Sequence, residues 1–359
     1  MMDYEARIAR LRETLATGDV DTLLVTNLTN VRYLCGFSGS NGQLLVTPSS
    51  ATFFTDPRYR ARAGDLVEGA EVVVYDSNLH ESLGSRLTSG KTSKVGIEAA
   101  TMSVAQKAHL EEKLAGVELA ATKNVVEELR RRKDAEEVAL LREAVRIADE
   151  AFDWIVERLG PGRTEREIAL DLDVEMRRRG ADSISFDPIV GSGPLSAHIH
   201  HSPSDRELAQ GDLVLLDFGA RWQGYCSDLT RTVALGSASD HHHEVYAIVL
   251  AAQSAGIEAT RPGTRCADVD AAARKVIDDA GYGETFGHGL GHGVGLDIHE
   301  LPRFHKTSDE TLGAGDVMTV EPGIYETGSG GIRIEDCVLV TDEGPEVLGK
   351  APKDTLTEL

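Results

Sequence analysis

Two stretches in the C-terminal part of the chain follow one plan, and this duplication limits the possible fold more than any other feature. Pro161-Gly162 opens a helix with Thr164-x-x-Glu167 as a capping box, and the helix stops at Gly180; Pro262-Gly263 opens another that runs to Gly281. Each is followed by a histidine-bearing loop and a Gly-Asp step, Gly211-Asp212 and Gly315-Asp316, leading into an apolar strand. The first strand closes on Asp217 and the second on Glu321. Two helix–hairpin halves related by a pseudo-two-fold axis would bring carboxylates from both strands to one centre.

The stretch around Asp217 sharpens that expectation. Val214 to Leu216 reads as a buried strand, Gln223-Gly224 as a turn and Tyr225 to Val233 as the return, with Asp217 expected directly opposite Asp228. Facing residues of a hairpin have Cβ atoms about 4.5–5.5 Å apart, too close for two ionised carboxylates unless positive charge lies between them. A pair of metal ions about 3.5–4 Å apart would supply it. Glu321 and Glu335, on Ile332-Arg-Ile-Glu335, are expected to repeat the pair in the second half, and alternation puts Arg333 on the face of Glu335.

Between these acids lies Gly287-His288-Gly-Leu-Gly-His292-Gly-Val-Gly-Leu-Asp-Ile-His299, whose glycines forbid a helix and hold three histidines on a shaped loop or strand edge. Histidines beside a carboxylate cluster point to metal or acid–base roles. The triplet His241-His242-His243, after a helix N-cap at Asp240, lacks such company and reads as surface. Cys226 and Cys337, each two residues from an acid of the cluster, read as buried packing; oxidation sensitivity is the alternative.

Residues 3 to 122 alternate helical and strand-like pieces, with strands expected at 21–25, 44–47, 51–55, 72–75 and 95–97 and helices at 3–15, 57–64, 80–87 and 104–114. Residues 123 to 159 read as helix in two segments, and a domain boundary is expected near residue 124. Gly36-Phe-Ser-Gly-Ser-Asn-Gly42 lacks the spacing and lysine of a phosphate-binding loop.

Composition narrows the partners. With 59 Asp and Glu against 37 Lys and Arg, the formal net charge of −22 repels nucleic acid and acidic membranes. The chain shows no apolar run long enough to cross a bilayer and no signal-peptide core, so a cytoplasmic location is expected. Four scattered cysteines give neither a disulfide framework nor a zinc knuckle.

Taken together, Leu-Asp217-Phe-Gly, Ser-Asp228-Leu-Thr-Arg, Gly-His292-Gly-Val-Gly, Val-Glu321-Pro-Gly-Ile-Tyr325 and Ile-Arg333-Ile-Glu335-Asp resemble the proline-specific metallopeptidases of the pita-bread fold, the aminopeptidase P and prolidase family. The resemblance implies an α+β chain: a C-terminal pita-bread catalytic domain over residues 124–359 with an internal pseudo-two-fold repeat, preceded by a smaller creatinase-like α/β domain over residues 1–123. It implies Asp217, Asp228, His292, Glu321 and Glu335 as ligands of two divalent metal ions, Mn²⁺ first and Co²⁺ or Zn²⁺ as substitutes. The implied activity is hydrolysis of the bond between an N-terminal residue and proline by a metal-bridged hydroxide. Glu321 would take the proton, His299 would stabilise the oxyanion, and His200, His288, Arg333 and Tyr325 would act on the substrate side. The N-terminal domain would support a homodimer, with Arg58 of Phe54-Thr-Asp-Pro-Arg58-Tyr59 reaching a neighbouring subunit's site. Substrates would be short proline-containing peptides. The loops lean to an Xaa-Pro aminopeptidase, with a prolidase restricted to dipeptides as the alternative. A non-catalytic peptide-binding protein on the same scaffold would be expected to have lost ligands, and all five are present.

Overall fold

The computed structural model describes residues 2–76, 78–90 and 92–359, which divide into two compact units, one ending at Arg130 and the other beginning at Arg131. In the first unit β1 (Leu23–Val25), β2 (Gln43–Val46), β3 (Ala51–Thr55), β4 (Glu71–Val74), β5 (Lys94–Glu98) and β6 (Glu118–Thr122) form a mixed sheet of order β4-β3-β2-β1-β5-β6. Its buried Leu24, Leu45, Phe54, Val95 and Ile97 pack against Leu83 and Leu87 of the helix Leu79–Ser89 and Leu110 of the helix Val104–Lys113. The helix Leu28–Cys35 and strand β6 were not expected from the sequence. Asn27 caps that helix by accepting from Thr29 N–H, but its eight residues are too few to show a clear 3.6-residue period.

The second unit is the duplicated one, and the repeat begins one helix earlier than the sequence pattern shows. Ala135–Val156 packs on Glu165–Arg178 in one half, as Asp240–Ala259 packs on Cys266–Asp279 in the other. The Thr164–Glu167 capping box is formed, whereas the second helix pair enters through Ser239, which accepts from His242 N–H, so Asp240 is the first helical residue and not the cap. Each helix pair covers a sheet. In the first half the strands run Thr357–Glu358, Leu229–Ala234, Leu213–Phe218, Ile189–Ser192; in the second, Glu300–Phe304, Gly291–Gly293, Val317–Val320, Asp336–Thr341, Gly344–Val347. Val214, Leu216 and Phe218 meet Ile147 and Leu172 in one core; Met318, Val320 and Val338 meet Val249 and Ile277 in the other.

The two halves match bond for bond. Gly162 N–H donates to Leu208 O at 2.9 Å and Gly263 N–H to Leu312 O at 2.9 Å. Gly211 N–H donates to Leu235 O and Gly315 N–H to Val340 O, with φ of +90° and +91°, a backbone region that glycine enters without strain. Asp212 and Asp316 then each accept from the backbone three residues back, Ala209 at 2.8 Å and Gly313 at 3.0 Å.

This correspondence corrects two expectations. The hairpin turn is Gln223-Gly224, both at positive φ, so Asp217 faces Thr230 and not Asp228. The ladder also breaks between Phe218 and Leu229, leaving Asp228 outside the regular strand; a shift of two residues keeps it on the same face. The second acid pair is not a copy of the first. Aligning Leu235 with Val340 makes Thr230 the counterpart of Glu335, and Asp228 the counterpart of Arg333. The halves therefore place their second acids at different positions on otherwise equivalent hairpins. Thr230 and Glu335 bridge one another, Glu335 N–H donating to Thr230 O at 3.1 Å, so the pseudo-axis passes between them.

Candidate metal centre and catalytic cavity

Four carboxylates from these hairpins meet around the pseudo-axis. Asp217 is the next-to-last residue of the strand Leu213–Phe218, Glu321 follows Val320, and Asp228 and Glu335 sit in the two breaks where the ladders are interrupted. His292 lies at the centre of the short strand Gly291–Gly293 beside them, its Nε2 3.5 Å from Glu321 Oε1 and 3.7 Å from Asp228 Oδ2. Ligand atoms of Asp228, His292 and Glu335 all lie within 4.8 Å of one another.

Such a cluster is electrostatically unsatisfied on its own. Burial, then the charges of Glu335, Asp217 and Glu321, pushes the Asp228 carboxyl well above the carboxylate range; burial with Glu321 and Asp217 does the same to Glu335. Burial lifts Glu321 to about 8 and also raises Asp217, both against the pull of Arg333. Asp217 Oδ1, Asp228 Oδ1 and Glu335 Oε1 are buried without a hydrogen-bond partner. Three orphaned acceptors pointing into one acidic cluster are what a bound cation would satisfy, and the donor set of carboxylate oxygens plus one imidazole suits a hard divalent ion.

The histidine tautomers follow from the same network. His292 Nδ1 donates to Gly293 O at 3.0 Å, which leaves Nε2 bare and aimed at the acids, the state a metal ligand needs. Burial holds this imidazole down to about 4. His288 Nδ1 donates to Gly289 O at 2.8 Å, so its Nε2 accepts from Tyr325 O–H at 2.9 Å; Tyr325 Oη in turn accepts from Arg333 Nη1 at 2.9 Å. Both nitrogens of His288 are committed, and its ring faces the cavity.

Arg333 is the one buried cation that reaches into the acidic cluster among the described residues. It donates to Asp217 Oδ2 through Nη2 and to Thr230 Oγ1 through Nε at 3.1 Å, while Thr230 Oγ1 donates to Glu335 Oε2 at 2.6 Å. The strand alternation that paired Arg333 with Glu335 in the sequence is realised through this shared threonine.

The cluster opens on a cavity of about 720 Å³ lined by Asp217, Glu321, Arg333, His200, His288, His292 and His299. His299 packs edge-on to His292 with ring centroids 4.4 Å apart. Of the expected site residues, Arg58 lies in the first unit, its side chain 76% exposed and bonded to Asp56. The triplet His241–His243 forms no metal cluster among the described residues; His241 and His243 pair with Glu326 and Glu358. Cys226 and Cys337 are buried, and burial raises both thiols, so neither presents a reactive thiolate.

Three participants escaped the sequence reading. Thr230 was hidden by the register. Arg303 stands directly across the ladder from His292, hence on its face, and lines the cavity. Phe304, buried beside it, supplies apolar wall. Only the pairing of Gly291–Gly293 with Glu300–Phe304, set by a bulge after His292, reveals Arg303.

The pattern of metallopeptidase family M24 matches residues 139–342, and that of the Creatinase/Prolidase N-terminal domain matches residues 7–132. An uncharacterised peptidase of Bacillus subtilis, YqhT, is 40% identical over 350 residues, covering 98% of this chain and 99% of that one. Among solved structures, an Xaa-Pro dipeptidase from Bacillus anthracis superposes with a TM-score of 0.97 at 41% identity, covering 99% of this chain and 100% of the other. An X-Pro aminopeptidase from Thermotoga maritima superposes with a TM-score of 0.91 at 33% identity, covering 98% and 100%. The chain belongs to metallopeptidase family M24, an α+β pita-bread catalytic domain with a creatinase-type N-terminal domain, and is a metal-dependent hydrolase of that family. No described helix is long and apolar enough to cross a membrane.

Proposed function

We propose that this protein hydrolyses the bond between an N-terminal residue and proline, with Xaa-Pro dipeptides as its preferred substrates. The observation that carries the reading is the convergence of Asp217, Asp228, His292, Glu321 and Glu335 with three unpaired acceptor oxygens, in a chain similar throughout to an Xaa-Pro dipeptidase and an X-Pro aminopeptidase. Those five residues would hold two divalent ions, Mn²⁺ first, with Co²⁺ or Zn²⁺ able to substitute. When bound, the ions supply a water of lowered pKa and an electrophile for the scissile carbonyl.

The protein's own groups do the rest. Glu321, its carboxylate partly open to the cavity, takes the proton from the attacking water and passes it to the leaving proline nitrogen. His299 donates to the oxyanion from the cavity wall. Arg333 offsets part of the cost of burying a charged Asp217 and, through Tyr325, fixes the ring of His288, which packs against the apolar proline ring rather than hydrogen-bonding to it. His200 meets the substrate from the opposite loop.

Peptide length is read from Arg303. It forms no ion pair among the described residues although it lines the cavity, and a free C-terminal carboxylate is the partner that such a cation accepts. Hydrolysis of Ala-Pro against Ala-Pro-Ala by the wild type and by Arg303→Met tests this. The dipeptide is expected to be preferred, and the substitution to lower its kcat/KM by about ten- to a hundred-fold while sparing the tripeptide. A faster tripeptide, or equal losses on both, would make the protein an aminopeptidase of broader length. The reading also carries a homodimer, checked by sedimentation, with the exposed Arg58 turned to a neighbouring subunit's site, and a cytoplasmic location, in keeping with four free cysteines.

A further inference from the structure

Resting on the reading of His200 as a substrate contact, we propose that Glu165 is a positioning residue that fixes His200 at the cavity wall. Glu165 is the first residue of the helix Glu165–Arg178, and its side chain is fully buried. Its Oε1 accepts from the backbone N–H of Ser192 at 2.8 Å and from that residue's hydroxyl at 2.6 Å. Its Oε2 accepts from His201 Nε2 at 2.8 Å, from Ser204 N–H at 3.0 Å and from the Ser204 hydroxyl at 2.7 Å. Ser192 and Ser204 bracket the segment that carries His200, and His201 is its neighbour. A single carboxylate thus ties both ends of one loop and the residue next to His200.

The chemistry of the anchor is specific. Five donors converge on two oxygens that together offer about four lone-pair sites, so only an ionised acid can take them. Burial alone would raise this carboxyl, but the hydrogen bonds from Ser192, Ser204 and His201 outweigh it and leave it below its ordinary range. Arg206 adds a cation at one remove, donating to the Ser192 hydroxyl at 2.6 Å while paired with Asp212.

The internal repeat separates this role from a general requirement of the fold. Cys266 stands where Glu165 stands: Glu165 N–H donates to Arg206 O at 3.1 Å, and Cys266 N–H to Glu310 O at 2.8 Å. The helix Cys266–Asp279 forms there without a carboxylate: Cys266 is a buried thiol whose side chain meets Ser308, the residue equivalent to Ser204. A half of this fold needs no acid at that place, and a buried charge is costly to keep. The acid is present in the half whose loop carries His200.

A double-mutant cycle of Glu165→Gln and His200→Ala, followed by hydrolysis of Ala-Pro, tests the proposal. Each single change is expected to lower kcat/KM by about ten- to a hundred-fold, Glu165→Gln chiefly through KM. In the His200→Ala background, Glu165→Gln is expected to cost less than about two-fold, because the group it positions is gone. An undiminished cost in that background overturns the proposal. An unimpaired His200→Ala instead overturns the substrate role of His200, a different pattern. If Glu165→Gln does not fold, Ser204→Ala, which removes one hydroxyl donor, takes its place in the cycle: non-additivity with His200→Ala supports the anchor, and additivity overturns it.

Discussion

Arg231 and Asp336 occupy equivalent positions in the two halves of the catalytic unit, and they pair with each other across the pseudo-axis at 2.7 Å, each side chain almost fully buried. Arg231 also donates to the carbonyls of Thr230 at 2.9 Å and Glu335 at 2.6 Å, and Asp336 accepts as well from Gln253 at 2.9 Å and from Lys353. The duplicated position carries opposite charges in the two copies, and this joins the halves next to the acids they share.

Removing one partner of a buried pair costs about 3–5 kcal/mol where the other charge is left uncompensated, and Lys353, still facing Asp336, keeps the cost here at the lower end of that range. Arg231→Met is therefore expected to lower the unfolding free energy by about that amount in urea titration. A midpoint equal to that of the wild type would show that Lys353 and Gln253 alone satisfy Asp336.

Without metal, the four acids of the centre oppose folding, since burial raises all of them and the neighbouring acids push Asp228, Glu321 and Glu335 further up. In excess chelator, Asp228→Asn is expected to melt a few degrees above the wild type. Added Mn²⁺ should reverse the order, raising the wild type by mass action and leaving the variant nearly unmoved. A chelated variant that melts below the chelated wild type would contradict this account of the cluster.

His288 gives a prediction in pH. Burial, with Arg333 nearby, holds its imidazole down to about 4 against an ordinary 6.5, so the folded state binds its proton less readily than the unfolded chain. The stability this group contributes is present above 6.5 and is lost as the pH falls from 6.5 to 4, by as much as about 3 kcal/mol. His288→Asn, compared with the wild type across that window, is expected to lose less stability on acidification. Parallel curves would mean that His288 is solvated.

Much of the centre was legible because its residues lie at strand ends in a repeated pattern, and strand parity survives small errors. Asp228 was assigned the wrong partner, yet a two-residue slip left it on the correct face. The error came from Gln223, which takes a positive φ that its side-chain type does not advertise. Arg303 and Glu165 were illegible for another reason. Each acts through a pairing set far away in the chain, Arg303 through a bulged strand register and Glu165 through serines on a loop that no periodicity describes. A charge at the start of a helix reads as a dipole partner, and only the fold shows which loop it holds.

The central claim is that five side chains from two equivalent hairpins and one short strand share a dinuclear cation site. Anomalous diffraction from crystals soaked in Mn²⁺ tests it most directly. Two peaks about 3.5–4 Å apart, enclosed by Asp217, Asp228, His292, Glu321 and Glu335, are expected. No peak at that place, or manganese bound only elsewhere, would contradict it.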